Sequence, residues 1–193
     1  IERNANRLDA LVDDLLLTAR LGSGAVRPAR VSVPVARAVA EIEEELGRVC
    51  PELRLDVPHD LCVEADRDHV RLILSNLISN AQKYGAPPVH IAARAVGDAV
   101  RIEVRDHGPG IPPQHVPHLF EPFAQGETGL TRSSGGVGLG LSIVAQLCRL
   151  NGGSVRYVGS SDGAVFELLL PLAPSTDELS PADPDTSGAS VDA

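Results

Sequence analysis

Between Asp66 and Tyr84 the apolar side chains Val70, Ile73, Leu74, Leu77, Ile78 and Ala81 recur at the three- and four-residue spacing of one helix face. A helix is therefore predicted there, with Asp66 as its N-cap. Ile1, Ala5, Leu8, Val12, Leu15 and Ala19 repeat in the same way, which suits either a bundle helix packed lengthwise on other helices or an ordinary amphipathic surface helix. Leu21-Gly22-Ser23-Gly24 stops it. Arg27 to Pro34 reads as linker and short strand, Pro34 suits the first turn of a second helix reaching about Arg48, and Leu139 to Asn151 forms a fourth helix ended by Gly152-Gly153. Period-two alternation marks strands at Val89 to Val96 and Val100 to Arg105 around Gly97-Asp98, and at Ser154 to Val158 and Val165 to Leu170 around Asp162-Gly163. Shorter strands are predicted at Leu53 to Val57 and Leu61 to Ala65. Strand pairs interleaved with helices that do not each separate parallel strands argue for an α+β two-layer sandwich over a doubly wound sheet.

Composition narrows the classes. In 193 residues, 43% hydrophobic and 22% charged positions fit a globular chain and exclude collagen-like, wholly disordered and disulfide-scaffold proteins. The longest apolar run, Ala164 to Leu172, is broken by Glu167 and Pro171, far short of the roughly 20 residues of a membrane span. The formal charge is −9, with five carboxylates beyond Pro171 and no basic residue among them, so the body is mildly acidic and nucleic acid is not an expected partner. Cys50, Cys62 and Cys148 lack the spacing of a metal site, and a cytoplasmic, reducing location is expected. With no initiator Met and no signal-peptide pattern at Ile1, the chain reads as a piece of a longer protein.

Three groups of residues suggest chemistry. Asn76, Asn80 and Lys83 share a narrow wedge at the edge of the apolar stripe of the third helix, where amide oxygens suit Mg²⁺; taken alone, they read more simply as solvated or capping side chains. Asp106 ends an alternating strand before Gly108-Pro109-Gly110, placing a carboxylate where it can accept from an exocyclic amine such as that of adenine. The same pattern is also an ordinary turn. Gly135-Gly136-Val137-Gly138-Leu139-Gly140-Leu141 opens the fourth helix, whose N-terminal amides favour phosphate. It is neither a Walker P-loop nor a dinucleotide fingerprint, and a flexible linker would not run straight into Leu141-Ser142-Ile143-Val144.

The order of these pieces is more specific than any one of them. Asn76-Leu77-x-x-Asn80-Ala81-x-Lys83-Tyr84, Asp106-x-Gly108-x-Gly110, Phe120-Glu121-Pro122-Phe123 and Gly136-x-Gly138-Leu139-Gly140-Leu141 resemble the N, G1, F and G2 boxes of sensor histidine kinases. The resemblance covers about residues 30–172 as an ATP-binding catalytic domain with a lid at about 108–136. Residues 1–21 resemble the end of the second dimerisation helix, 22–29 a linker, and 173–193 are expected to be an acidic disordered tail. It implies helices on one face of a mixed, mostly antiparallel sheet, with ATP between helix and lid. Asn80 would hold Mg²⁺ with Asn76 beside it, Lys83 would reach the phosphates and Tyr84 would flank the nucleotide. Asp106 would bind the adenine amine, Gly108 and Gly110 would admit the base and hinge the lid, Gly136, Gly138 and Gly140 would cradle the phosphates, and Ile111, Leu139 and Leu141 would belong to the nucleotide site. Arg132 is either a γ-phosphate contact or a surface arginine. Phe120 and Phe123 are expected to anchor the lid by packing.

The resemblance further implies transfer of the γ-phosphate to a histidine and relay to a response regulator, with a homodimeric parent that in this family is often a membrane sensor. Val137 departs from the Thr of many relatives. His59, His69, His90, His107, His115 and His118 all lack the Ser/His-Glu/Asp-x-x-x-Pro setting of the acceptor, which is expected upstream of Ile1, so self-phosphorylation of this chain is not expected. Hydrolysing relatives such as gyrase and the heat-shock chaperones carry a Glu base where Asn76 stands, and an amide cannot take that proton, so slow hydrolysis is expected. The competing readings are a nucleotide-sensing module without productive transfer and an anti-sigma-type serine kinase of the same superfamily, the latter disfavoured by the bundle helix and by Asn76.

Overall fold

The computed structural model describes residues 12, 15–21, 26–45, 52–124, 138–160 and 162–174. Residues 15–21 are helical (α1). They are followed by β1 (Val31–Pro34), α2 (Val35–Glu45), β2 (Leu53–Asp56), β3 (Cys62–Ala65), α3 (Arg67–Tyr84), β4 (Val89–Val96) and β5 (Ala99–Arg105). A 3₁₀ turn at Val116–His118 precedes α4 (Gly140–Leu150), β6 (Ser154–Ser160) and β7 (Gly163–Pro171). β1 and β3 form an antiparallel pair, and the other strands form one sheet in the order β2-β4-β5-β7-β6, in which only β2 and β4 run parallel. No described helix is long and apolar enough to cross a membrane.

Register explains why one sheet face is apolar. Ile91 lies opposite Val104, Val104 opposite Phe166 and Phe166 opposite Tyr157, while Ala93, Ile102, Leu168 and Val155 form the next row. Alternation sends these side chains to the same side, where they meet the stripes of α2, α3 and α4, including Val39, Ile42, Ile73, Leu77, Ile143 and Leu147, in a single core. Asp106 continues the inner row of β5 by one step, so the architecture delivers a carboxylate to the end of the buried face.

Local chemistry sets the helix ends. Asp66 caps α3 by accepting from the amides of Asp68 (3.0 Å) and His69 (3.2 Å). Asn151, fully buried just after α4, accepts from the Asp66 amide at 2.9 Å and donates from Nδ2 to the Leu147 carbonyl at 2.7 Å, with the His69 ring nitrogen 3.1 Å away. The end of α4 is thereby tied to the start of α3, so the start of α4 lies further along α3. Asn151→Ala strands the half-buried Asp66 amide and is expected to cost about 1–3 kcal/mol in urea unfolding, with a loss below about 0.5 kcal/mol counting against the tie.

Pro34 ends β1 and α2 begins at the next residue, as expected, with the strand paired to Cys62–Ala65 up to Pro34 itself. Some boundaries differ from expectation. Leu139 and Asn151 are the caps of α4 and not part of it. The seam residues Val12, Leu15 and Ala19 face solvent, whereas Leu17 and Leu21, four residues apart, turn toward the core. The proposed tail beyond 174 and the linker residues 22–25 lie outside the described residues, as does Cys50.

Candidate functional site

Asn76, Asn80 and Lys83 do share one edge of α3: the asparagines are half-buried and Lys83 is exposed. The Asn76 side chain donates from Nδ2 to the Leu72 carbonyl at 2.9 Å, which fixes its amide and leaves Oδ1 turned to the start of α4. A Cβ on Gly140 would sit 2.6 Å from that oxygen, so a larger residue there would push the Asn76 amide aside. The side chain of Asn80 has no partner among the described residues.

At its other end α3 meets Asp106. A Cβ on Gly85 would lie 2.5 Å from the Asp106 Cγ, and one on Gly108 would lie 2.6 Å from the Gly85 Cα. Asp106 is 5% exposed, and its Oδ1 accepts from the amides of Gly108 at 2.8 Å and Ala164 at 3.2 Å. Both structural bonds use the same oxygen, and Oδ2 has no partner among the described residues. The carboxylate thus has one oxygen held by the fold and one available. Nearby, His90 packs edge-on to His107 with ring centroids 5.5 Å apart. Burial, and then the positive charges of Arg54, His107 and Arg105, hold the His90 imidazole below its ordinary range, favouring its neutral form.

The two contacts bracket a cleft. Asn76 marks one end and Gly85 the other, nine residues of helix apart, roughly 13 Å at the α-helical rise, with Asn80 and Lys83 between them. At the Asn76 end α4 begins without a side-chain cap and without an acidic residue in its first turn, so among the described residues its first amides are open to an anion. Ser142 is buried and donates to the Leu139 carbonyl at 2.8 Å, and Leu139 is itself buried, so the two pin the turn. Leu141 is half-buried against the core. One end of the cleft can accept from an amine, the other can donate to phosphate, and amide oxygens lie along the wall.

The lid's described part is held at both ends. Phe120 packs edge-on to Phe166, with centroids 6.5 Å apart and an interplanar angle of 84°. Phe123 does not anchor by packing as expected: it is 59% exposed at φ +64°, and the link runs through its backbone, whose amide donates to the Gly138 carbonyl at 3.0 Å. Gly138 at φ +77° meets Ala124 and Phe123 closely. Tyr84 is 43% exposed at the end of α3. Arg132, Gly136 and Val137 lie outside the described residues. Three residues that shape the site carried no signal in the sequence beyond turn or strand chemistry, namely Gly85, Gly163 and Tyr157. A Cβ on Gly163 would fall 1.9 Å from the Asp106 carbonyl oxygen, and Tyr157 accepts from the Ile111 amide at 3.2 Å.

Comparison with known proteins identifies the family and the fold. The profile of the histidine kinase-, DNA gyrase B- and HSP90-like ATPases matches residues 65–174. The signal transduction histidine-protein kinase AfsQ2 of Streptomyces coelicolor is 34% identical over 180 residues, covering 93% of this chain and 32% of that protein. A probable sensor histidine kinase, HK, of Mycobacterium tuberculosis is 34% identical over 176 residues, covering 90% and 46%. The chain therefore spans less than half the length of these relatives. Full-length ShkA, solved in complex with AMPPNP, superposes with a TM-score of 0.76 at 30% identity, covering 90% of this chain and 37% of that one.

Proposed function

Because the chain belongs to the histidine kinase-, DNA gyrase B- and HSP90-like ATPase family, we propose that it is the ATP-binding catalytic part of a sensor histidine kinase that passes the γ-phosphate of Mg-ATP to a histidine on a dimerisation helix. The observation that carries this reading is the polarity of the cleft: a carboxylate with one uncommitted oxygen at one end of α3 and an uncapped helix start at the other. A purine amine donates to Asp106 Oδ2, the sugar passes Tyr84, and the phosphates lie at the amides of α4 with Lys83 above them. Asn76 and Asn80 present amide oxygens of the hard type that Mg²⁺ takes, so the residues fit the ion. When bound, it neutralises charge on the phosphates.

Transfer then rests on placement. An acceptor imidazole nitrogen forms a bond to the γ-phosphorus, the bond from phosphorus to the β,γ-bridging oxygen breaks, and ADP departs. Water is a poor competitor because Asn76, its oxygen against Gly140, cannot remove a proton from it. Among the histidines, His69 lies against Asn151, while His107 is paired with Asp162 at 3.3 Å and His118 with Glu121 at 3.0 Å, which are structural engagements. None of the six histidines has the Ser/His-Glu/Asp-x-x-x-Pro setting of an acceptor, so the acceptor is assigned to another segment or chain, and the phosphoryl group goes on to a response regulator. Arg132, which lies outside the described residues, stays the candidate γ-phosphate contact in the expected lid.

The test adds γ-labelled ATP and Mg²⁺ to this chain with an acceptor-bearing dimerisation domain. Acid-labile label on the added domain is expected, and ATP binding without any transfer to several such domains would leave a nucleotide-sensing module instead. Asn80→Ala is expected to remove most of the Mg²⁺ dependence of ATP affinity while ADP measured in chelator binds as before. Equal Mg²⁺ dependence in both proteins by calorimetry would move the metal away from Asn80.

A further inference from the structure

Pro109-Gly110-Ile111-Pro112-Pro113 leads from Asp106 into the lid, and three of its five residues have no backbone N–H. Only Gly110 and Ile111 can donate. Among the described residues, the Ile111 amide is the one that finds a partner, the hydroxyl oxygen of Tyr157 on β6 at 3.2 Å. Gly110 reaches this position at φ +70°, and a Cβ there would lie 3.6 Å from the same oxygen. The ring of Tyr157 is not free to drift. It lies opposite Phe166 in the sheet, 5.7 Å between centroids, and Phe166 in turn holds Phe120 at the far side of the lid's described part.

We propose that Tyr157 is a positioning residue for nucleotide binding: its hydroxyl latches the Gly108–Ile111 turn over Asp106 and so presets the base end of the cleft. The segment that must stay clear of the purine is short of backbone donors, and one phenol supplies its acceptor from β6. Without the latch, the hydrogen bond left to the turn among the described residues is that of the Gly108 amide on Asp106 Oδ1, beside the packing of Ile111 on the core. Losing one neutral hydrogen bond lowers the equilibrium constant for the preset turn a few-fold, and apparent affinity falls by up to that factor. The statement about nucleotide rests on the function proposed above, whereas the latch itself does not.

The experiment is Tyr157→Phe, which keeps the ring against Phe166 and removes only the hydroxyl. Hydrogen exchange of the Ile111 amide in nucleotide-free protein is expected to quicken about three- to tenfold while amides of β5 and β7 keep their wild-type rates. ADP affinity by calorimetry is expected to weaken by a similar factor of about three to ten. Unchanged protection at Ile111 overturns the latch, as does a uniform loss of protection across the sheet, which would mark a packing role. Faster Ile111 exchange with unaltered ADP affinity overturns the positioning role. If the wild-type chain binds no adenine nucleotide, the reading of the cleft fails, and the exchange data alone then decide whether the latch exists.

Discussion

Asp106→Asn is expected to lower affinity for ADP and ATP roughly 100-fold while the protein stays folded. The argument is the division of labour between the two carboxylate oxygens. Oδ1 accepts from Gly108 and Ala164, and both amides are needed where β5, β7 and the lid meet. Asparagine has a single oxygen, and those two amides will claim it. Its NH₂ then takes the place of Oδ2 and faces the purine amine, donor against donor. The loss combines a charge-assisted bond with an unpaired buried donor, each worth about 1–3 kcal/mol. The same inversion favours a keto oxygen at that ring position, so the ratio of ADP to GDP affinity should fall as well. Calorimetry that finds adenine nucleotides bound as tightly by the variant, with the ratio unmoved, would remove Asp106 from the base site.

How much of this was legible in the sequence depends on the range of the interaction that fixes each residue. The stripe of α3, its Asp66 cap, the alternation of β4, β5 and β7, and Asp106 at a strand end were readable because their causes lie within a few residues. Asn76, Asn80 and Lys83 were readable as an edge, but nothing local showed that Gly140 would close on Asn76. Gly85, Tyr157 and Asn151 owe their roles to partners far along the chain: Ile111 is 46 residues from Tyr157, and Asp66 is 85 from Asn151. Phe123 was misread because apolar character suggested packing, whereas its positive φ puts the ring in solvent and leaves the backbone as the link. The exposed seam of α1 has the opposite logic. Val12 and Leu15 keep the spacing of a packed helix, and nothing in this chain covers them among the described residues.

Gly163→Ala is expected to cost about 3–6 kcal/mol, enough to unfold much of the population in a protein of ordinary stability. Gly163 sits at φ +119°, a conformation that L side chains rarely adopt, and the added methyl would lie 1.9 Å from the Asp106 carbonyl oxygen and 2.9 Å from the His107 Cα. Neither side can give way cheaply. The Asp106 amide donates to the Ala164 carbonyl at 3.0 Å, the Ala164 amide returns to Asp106 Oδ1, and Arg105 lies opposite Val165 in the ladder. A shift large enough to relieve the contact would break all of these at once and move the carboxylate that the cleft depends on. Alanine also stiffens the unfolded chain, which favours folding by about 0.4–1 kcal/mol, too little to offset the clash. Urea unfolding followed by circular dichroism measures the balance. Stability within about 1 kcal/mol of the parent would mean that the β6–β7 turn can move off Asp106 without consequence, and that the close approach of Gly163 is not what holds the carboxylate in place.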